Sequence, residues 1–194
     1  MTRLLFCDCE TTGLDSNRNE VWEVAAIVRD PMPDGIKGHM PDAEFHWFLH
    51  INLEKADLIA LNIGHYFERH PVMLKDHGQK EPYVTNVTND TVFAREFFNL
   101  SIGAHIVGAV PDFDTRFLAK ILKRNNLLAA WHYHLVCVEN LAAGKLGMEP
   151  PWKSDEVFAK LGYNTDTDEY RLGKHTALGD CRVVRDIYDL VMKK

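Results

Sequence analysis

The sequence is short of everything that marks a secreted, membrane-embedded or duplex-coating protein. Its 194 residues hold no apolar run of spanning length and no leader with a basic head, apolar centre and small-residue cleavage site, so no membrane partner and a cytoplasmic location are expected. Only four cysteines occur, Cys7, Cys9, Cys137 and Cys181, and none forms a Cys-x-x-Cys pair, which removes a disulfide framework and points to buried reduced thiols. Positive charge is in deficit as well. Against 28 Asp and Glu stand 22 Lys and Arg, a formal charge of −6, which excludes a protein that holds duplex DNA by neutralising its phosphates. It does not exclude an enzyme whose clustered acids hold cations, because the bound ions then supply the positive charge. Repeats and domain linkers are absent too. What is present, 46% hydrophobic and 10% aromatic residues, suits one globular domain over residues 1–194.

The most informative stretch is Phe6-Cys7-Asp8-Cys9-Glu10-Thr11-Thr12-Gly13-Leu14, entered through the apolar Leu4-Leu5. Side chains alternate on a strand, so Leu4, Phe6, Asp8 and Glu10 point one way and Leu5, Cys7 and Cys9 the other. Residues 4 to 7 are apolar on both faces, as in a strand covered on both sides. Two carboxylates on such a strand cost several kcal/mol each unless a cation or donors compensate, and no Lys or Arg lies two residues away on their face. A divalent ion would resolve the conflict. A strand end already in solvent also accounts for a lone Asp-x-Glu, so the remaining acids decide.

Two helices carry such acids. In the helix expected from Asp112 to about Arg124, Phe113, Phe117, Leu118, Ile121 and Leu122 form the core-facing arc, and Asp114 falls near its middle. Asp112 projects oppositely, as an N-cap or first-turn acid. The obvious cations for Asp114, Arg116 and Lys120, lie on other faces. In the last helix, Ala177 to Met192, Asp180 falls inside the arc of Val183, Val184, Ile187, Tyr188 and Val191. His175 precedes this helix, with Thr176 as N-cap, on a loop from Asp168 to Lys174 that Gly173 can make mobile.

Between these segments, strands are expected at Val21–Val28, Glu44–Ile51, Ala104–Val110 and Trp131–Val138. Helices are expected at about Asp90–Leu100, Glu139–Leu146 and Ser154–Leu161, an interrupted helix at residues 54–68 breaks at Gly64, and Pro71–Val87 reads as an insertion. The architecture is α/β: a central mixed five-stranded sheet, three antiparallel strands and then parallel ones, flanked by helices. His132 and His134 share a face of the fifth expected strand. No second pair at ligand spacing accompanies them, so a core-edge pair is preferred to a zinc site.

Asp8-Cys9-Glu10-Thr11-Thr12-Gly13, Phe113-Asp114 behind a Val-Gly-Ala-Val strand, and His175 five residues before Asp180 together resemble the DnaQ-like (DEDDh) 3′-5′ exonucleases. The resemblance runs in order over nearly the whole chain. It implies a ribonuclease-H-like fold, two Mg²⁺ or Mn²⁺ ions held by Asp8, Glu10, Asp114 and Asp180, and His175 as general base. Thr176 stands where the sister subclass has Tyr, which favours the His branch. By the same resemblance Thr11, Thr12 and Leu14 hold the terminal nucleotide, with Leu14 wedged under its base, and Ile63, His65 and His175 add contacts. Glu23 matches a supporting acid beside the site. Gly108-Ala109-Val110-Pro111 departs from the His-Asn the family often has before the second acid.

The implied substrate is a single-stranded 3′ end, DNA favoured, cut to nucleoside 5′-monophosphates. RNA-end trimming, an oligoribonuclease and a non-catalytic polymerase-associated subunit are the alternatives. A DNA polymerase or replication complex is an admissible partner, and a homodimer an admissible state.

Overall fold

A computed structural model describes residues 2–33, 36–76 and 87–193. The first strand, β1 (Leu4–Thr11), is central. On one side it pairs antiparallel with β2 (Val21–Arg29), which pairs antiparallel with β3 (Ala43–Phe48). On the other it runs parallel to β4 (His105–Gly108), followed by β5 (Val136–Cys137), giving the order β3-β2-β1-β4-β5. This is the expected mixed sheet.

Both faces of β1 are covered, as its apolar pattern requires. Leu5, Cys7 and Cys9 pack with Phe93 and Phe97 of α4 (Asp90–Ser101) and with Leu118 and Ile121 of α5 (Pro111–Arg124). Leu4 and Phe6 pack on the opposite face with Ala142 of α6 (Val138–Leu146) and Val184 and Ile187 of α9 (Ala177–Met192). The alternation therefore directs Asp8 and Glu10 toward the α9 side. Pairing of β1 with β2 keeps register as far as Glu10 opposite Glu23 and then breaks at a bulge between Glu10 and Thr11.

Several boundaries differ from expectation. The third strand stops at Phe48, and the fourth covers only His105–Gly108. The fifth contracts to Val136–Cys137, so His132 and His134 share no strand face; they lie in the preceding turn, where His134 N–H donates to His132 Nδ1 at 3.2 Å. Helix α5 begins at Pro111, whose ring presets helical φ and needs no N–H partner, so Asp112 is a first-turn acid and not the cap. Residues 53–69 form a 3-10 turn, α1 (Leu58–Ile63) and α2 (Tyr66–Arg69), broken at Gly64 as expected. In the segment read as an insertion, α3 (Pro71–Asp76) is helical and residues 77–86 lie outside the described residues.

Helix α7 (Ser154–Lys160) stands where expected. The expected loop before His175 is instead mostly a helix, α8 (Asp168–Gly173), whose cap Thr167 accepts from Tyr170 N–H. Thr176 caps α9 as expected, accepting from Gly179 N–H at 3.1 Å. Among the described residues no helix is long and apolar enough to cross a membrane.

Candidate metal centre and active site

Three carboxylates from the two ends of the chain meet at the carboxyl end of β1. Asp8, Glu10 and Asp180 each offer an oxygen, and these oxygens lie within 4.8 Å of one another. Strand alternation aims the first two. The third comes from the first turn of α9, which the Thr176 cap starts at Ala177, and its Oδ2 accepts the His175 N–H at 3.0 Å. Asp114 is buried in the first turn of α5 and stands outside this group of three: its Oδ1 accepts the Cys9 N–H at 3.0 Å. Its charge nonetheless reaches the cluster.

Burial lifts the proton affinity of Asp8 far above the carboxylate range, and the charges of Asp114, Asp180 and Glu10 lift it further. Burial and Glu23 push Glu10 up to about 8, against the opposing pull of Arg69. Asp114 rises to about 7, through burial that outweighs the Cys9 N–H bond, and Asp180 to about 6, through burial that outweighs the His175 N–H bond. Buried acids that raise one another in this way need either protons or a cation. The donor set is all oxygen, with neither thiolate nor imidazole in the group, and so it fits a hard divalent ion such as Mg²⁺ or Mn²⁺.

His175 lies on the accessible side of this cluster. A cleft of about 540 Å³ is lined by Asp8, Asp180, His175, Trp152, Lys153 and Lys174, among others. Desolvation, Lys174 and His65 hold the imidazole below its ordinary pKa, against the pull of Asp155. The backbone of His175 is left-handed, at φ 60°, an unusual state for a residue with a β-carbon. It follows a short helix where a loop was expected. Only Lys174 separates it from α8, and its carbonyl accepts from Arg69 Nη1 at 3.0 Å.

The expected nucleotide contacts divide into two groups. The Thr11 hydroxyl donates to the Gly13 carbonyl at 2.8 Å, and the Thr12 hydroxyl accepts the Glu20 N–H at 2.9 Å. Both side chains are buried and spent on the turn. Leu14, by contrast, is 82% exposed and Ile63 is 50% exposed, and His65 is exposed at the break between α1 and α2. His65 stands close enough for its charge to bear on His175.

Sequence reasoning missed three parts of the site. Trp152 and Lys153 line the cleft, but no pattern marks them. Gly64 was read only as a helix break, whereas a β-carbon there would come within 2.9 Å of Glu10 Oε2 and 2.8 Å of the Trp22 ring. Arg69 is the third. It pairs with the fully buried Glu23, whose place in an otherwise apolar strand was the one available signal.

No family model matches the sequence, and no curated protein does. The class is nevertheless defined by the sheet order and the covering helices, which are ribonuclease-H-like. More particularly, the fold is similar to that of about two fifths of the exonuclease I chain. The chain is similar to a zinc-bound E. coli exonuclease I–single-stranded DNA complex (TM-score 0.65, 15% identity, 98% of this chain and 40% of that one). It is similar also to the E. coli enzyme with a dA16 oligonucleotide (TM-score 0.65, 16% identity, 98% and 41%). A moderately thermophilic exonuclease I from Methylocaldum szegediense gives TM-score 0.64 at 17% identity, over 98% and 40%. The chain thus spans about two fifths of the length of these exonuclease I chains.

Proposed function

We propose that the chain is a divalent-metal-dependent 3′-5′ exonuclease that acts on single-stranded DNA and releases nucleoside 5′-monophosphates. The observation that carries this reading is the half-buried Asp8–Glu10–Asp180 group, of which Asp8 and Asp180 line a cleft, on a fold shared with part of exonuclease I. Those three acids, joined by Asp114, are the proposed ligands of a pair of Mg²⁺ or Mn²⁺ ions. When bound, such ions supply Lewis acidity toward a phosphodiester and a water of lowered pKa.

The chain's own groups supply the rest. His175, which lines the cleft beside Asp180 and whose proton affinity is held below the ordinary imidazole value, takes the proton of the attacking water. Asp180 holds the His175 amide and so ties the base to the ligand set. Leu14, Ile63 and His65 are exposed and take the terminal nucleotide, Leu14 beneath its base. Thr11 and Thr12 shape the turn that carries Leu14, contributing through the backbone, since their hydroxyls are engaged. The two E. coli exonuclease I structures are complexes with single-stranded DNA and a dA16 oligonucleotide, which supports a single-stranded 3′ end as partner; a polymerase and a homodimer have no such support.

The test is mononucleotide release from a single-stranded DNA oligonucleotide, its RNA counterpart and a dinucleotide, with Mg²⁺, with Mn²⁺ and with chelator. Wild type is expected to degrade the DNA only with metal, and Asp180→Ala to lose turnover by at least 10³-fold, on the order of a lost catalytic group. Wild-type turnover in Asp180→Ala, purified free of host nuclease, would refute the assignment. Faster release from RNA or the dinucleotide would move the substrate class.

A further inference from the structure

We propose that Arg69 is a positioning residue, which locks the His175 peptide and the Gly64–His65 peptide to the buried Glu23 beneath the metal centre. The proposal rests on the exonuclease reading for its kinetic consequence, but not for its structural one.

One planar group reaches three segments that are far apart in sequence. Arg69 Nη2 donates to both oxygens of Glu23, at 2.5 and 2.6 Å. Nη1 donates to the Gly64 carbonyl at 2.7 Å and to the His175 carbonyl at 3.0 Å. The guanidinium also lies over the Trp22 ring, 5.4 Å from its centroid. Glu23 itself is fully buried, directly opposite Glu10 across the β1–β2 pair, and its Oε1 also meets His46 Nε2 at 2.7 Å. Two carboxylates facing each other across a strand pair repel, and Arg69 is the group that meets that repulsion.

The carbonyl contacts are the more telling. Two non-glycine residues near the site adopt left-handed backbone, His65 at φ 55° and His175 at φ 60°. Such states persist where surrounding contacts over-determine them. Nη1 binds the carbonyl of the peptide that enters His65 and the carbonyl of His175 itself, so one nitrogen pins both departures. A lysine could keep the charge against Glu23. It could not hold a bidentate carboxylate and two carbonyls at once, because an ammonium lacks the planar fork.

The test uses Arg69→Lys, and Arg69→Met with Glu23→Gln, a pair that leaves no orphan buried charge if the single variant destabilises the fold. Three readouts are taken: kcat and KM on a single-stranded DNA oligonucleotide, Mn²⁺ binding without substrate, and the His175 imidazole resonances, assigned by their loss in His175→Ala. Both variants are expected to stay folded, to bind Mn²⁺ within about threefold of wild type, to lose kcat by about tenfold or more with KM little changed, and to shift or broaden the His175 resonances. In a His175→Ala background Arg69→Lys is expected to cost less than about twofold more, because its effect runs through His175.

Unshifted His175 resonances, wild-type kcat in Arg69→Lys, or a full further loss in the His175→Ala background would each overturn the proposal. Should wild type release no nucleotide at all, the exonuclease reading falls, while the His175 resonances still decide the role of Arg69.

Discussion

Replacing Glu10 by Gln is expected to stabilise the metal-free protein while removing its ability to be stabilised by metal. Glu10 is half-buried, and its pKa is pushed from 4.5 up to about 8, by desolvation first and then by Glu23 and Asp180. At pH 8 the unfolded chain has released this proton, and folding must either take it back or bury a charge. Each pKa unit is worth about 1.4 kcal/mol, so the full shift corresponds to roughly 5 kcal/mol, of which relaxation and water penetration leave about 2–5. Gln carries none of that cost. For a chain of this size 1 kcal/mol moves Tm by about 2–4 °C, so Glu10→Gln is expected to melt roughly 5–15 °C above wild type in chelator at pH 8. At pH 5, near the unfolded pKa, the advantage should shrink below about 1 kcal/mol. With Mg²⁺ or Mn²⁺ at a hundred times its Kd, wild type gains about 2.7 kcal/mol and the variant little. The assay is thermal melting in chelator and in metal at both pH values. A variant less stable than wild type in chelator at pH 8, or one whose advantage persists unchanged at pH 5, would refute the electrostatic account of the site.

The same linkage gives wild type a characteristic pH profile. Asp180, Asp114 and Glu10 have folded pKa values of about 6, 7 and 8, above their ordinary 3.8, 3.8 and 4.5, so the metal-free folded chain binds more protons than the unfolded chain. Stability is therefore full below about pH 4 as far as these groups go, and is lost progressively as pH rises from there through 6 to 8. Denaturant midpoints in chelator should fall over that window and recover on adding Mn²⁺.

Gly64→Ala places a β-carbon against Glu10 Oε2 and Trp22, and is expected to weaken Mn²⁺ binding by about tenfold or more, read by calorimetry. Thr12→Val leaves the Glu20 N–H unpaired and should cost about 1–3 kcal/mol by denaturant melting, without a matching fall in kcat. Leu14→Ala, at an exposed position, should leave stability within about 0.5 kcal/mol of wild type but raise KM for oligonucleotide.

What could be read from the chain beforehand follows from the range of each interaction. The strand carrying Asp8 and Glu10 was legible because a period of two is local and its apolar residues occupy both faces. Asp114 and Asp180 were legible because an acid in the apolar arc of a long helix conflicts with its neighbours, and all three carboxylates of the group of three were named from sequence. Helix α8 escaped notice because six residues give too little periodicity. The fifth strand shrank because only two residues pair with β4, and the apolar run continues straight into α6. Arg69 was illegible for a different reason. Its partners are Glu23, Gly64 and His175, and a four-residue helix gives no sign that its one cation turns inward to meet them.

The central strand is flanked by an antiparallel neighbour on one edge and a parallel one on the other, and it is packed above and below. Its residue count is therefore a conserved quantity in the mechanical sense. Inserting or deleting a single residue between Phe6 and Asp8 would exchange inside for outside, sending the acids into the aromatic packing of α4 and α5 and lifting Cys9 to the cleft. Single letters of this segment can change without moving its faces, whereas a change of length by one exchanges them. A variant stripped of its acids would still need a strand of this length to keep both packed faces filled.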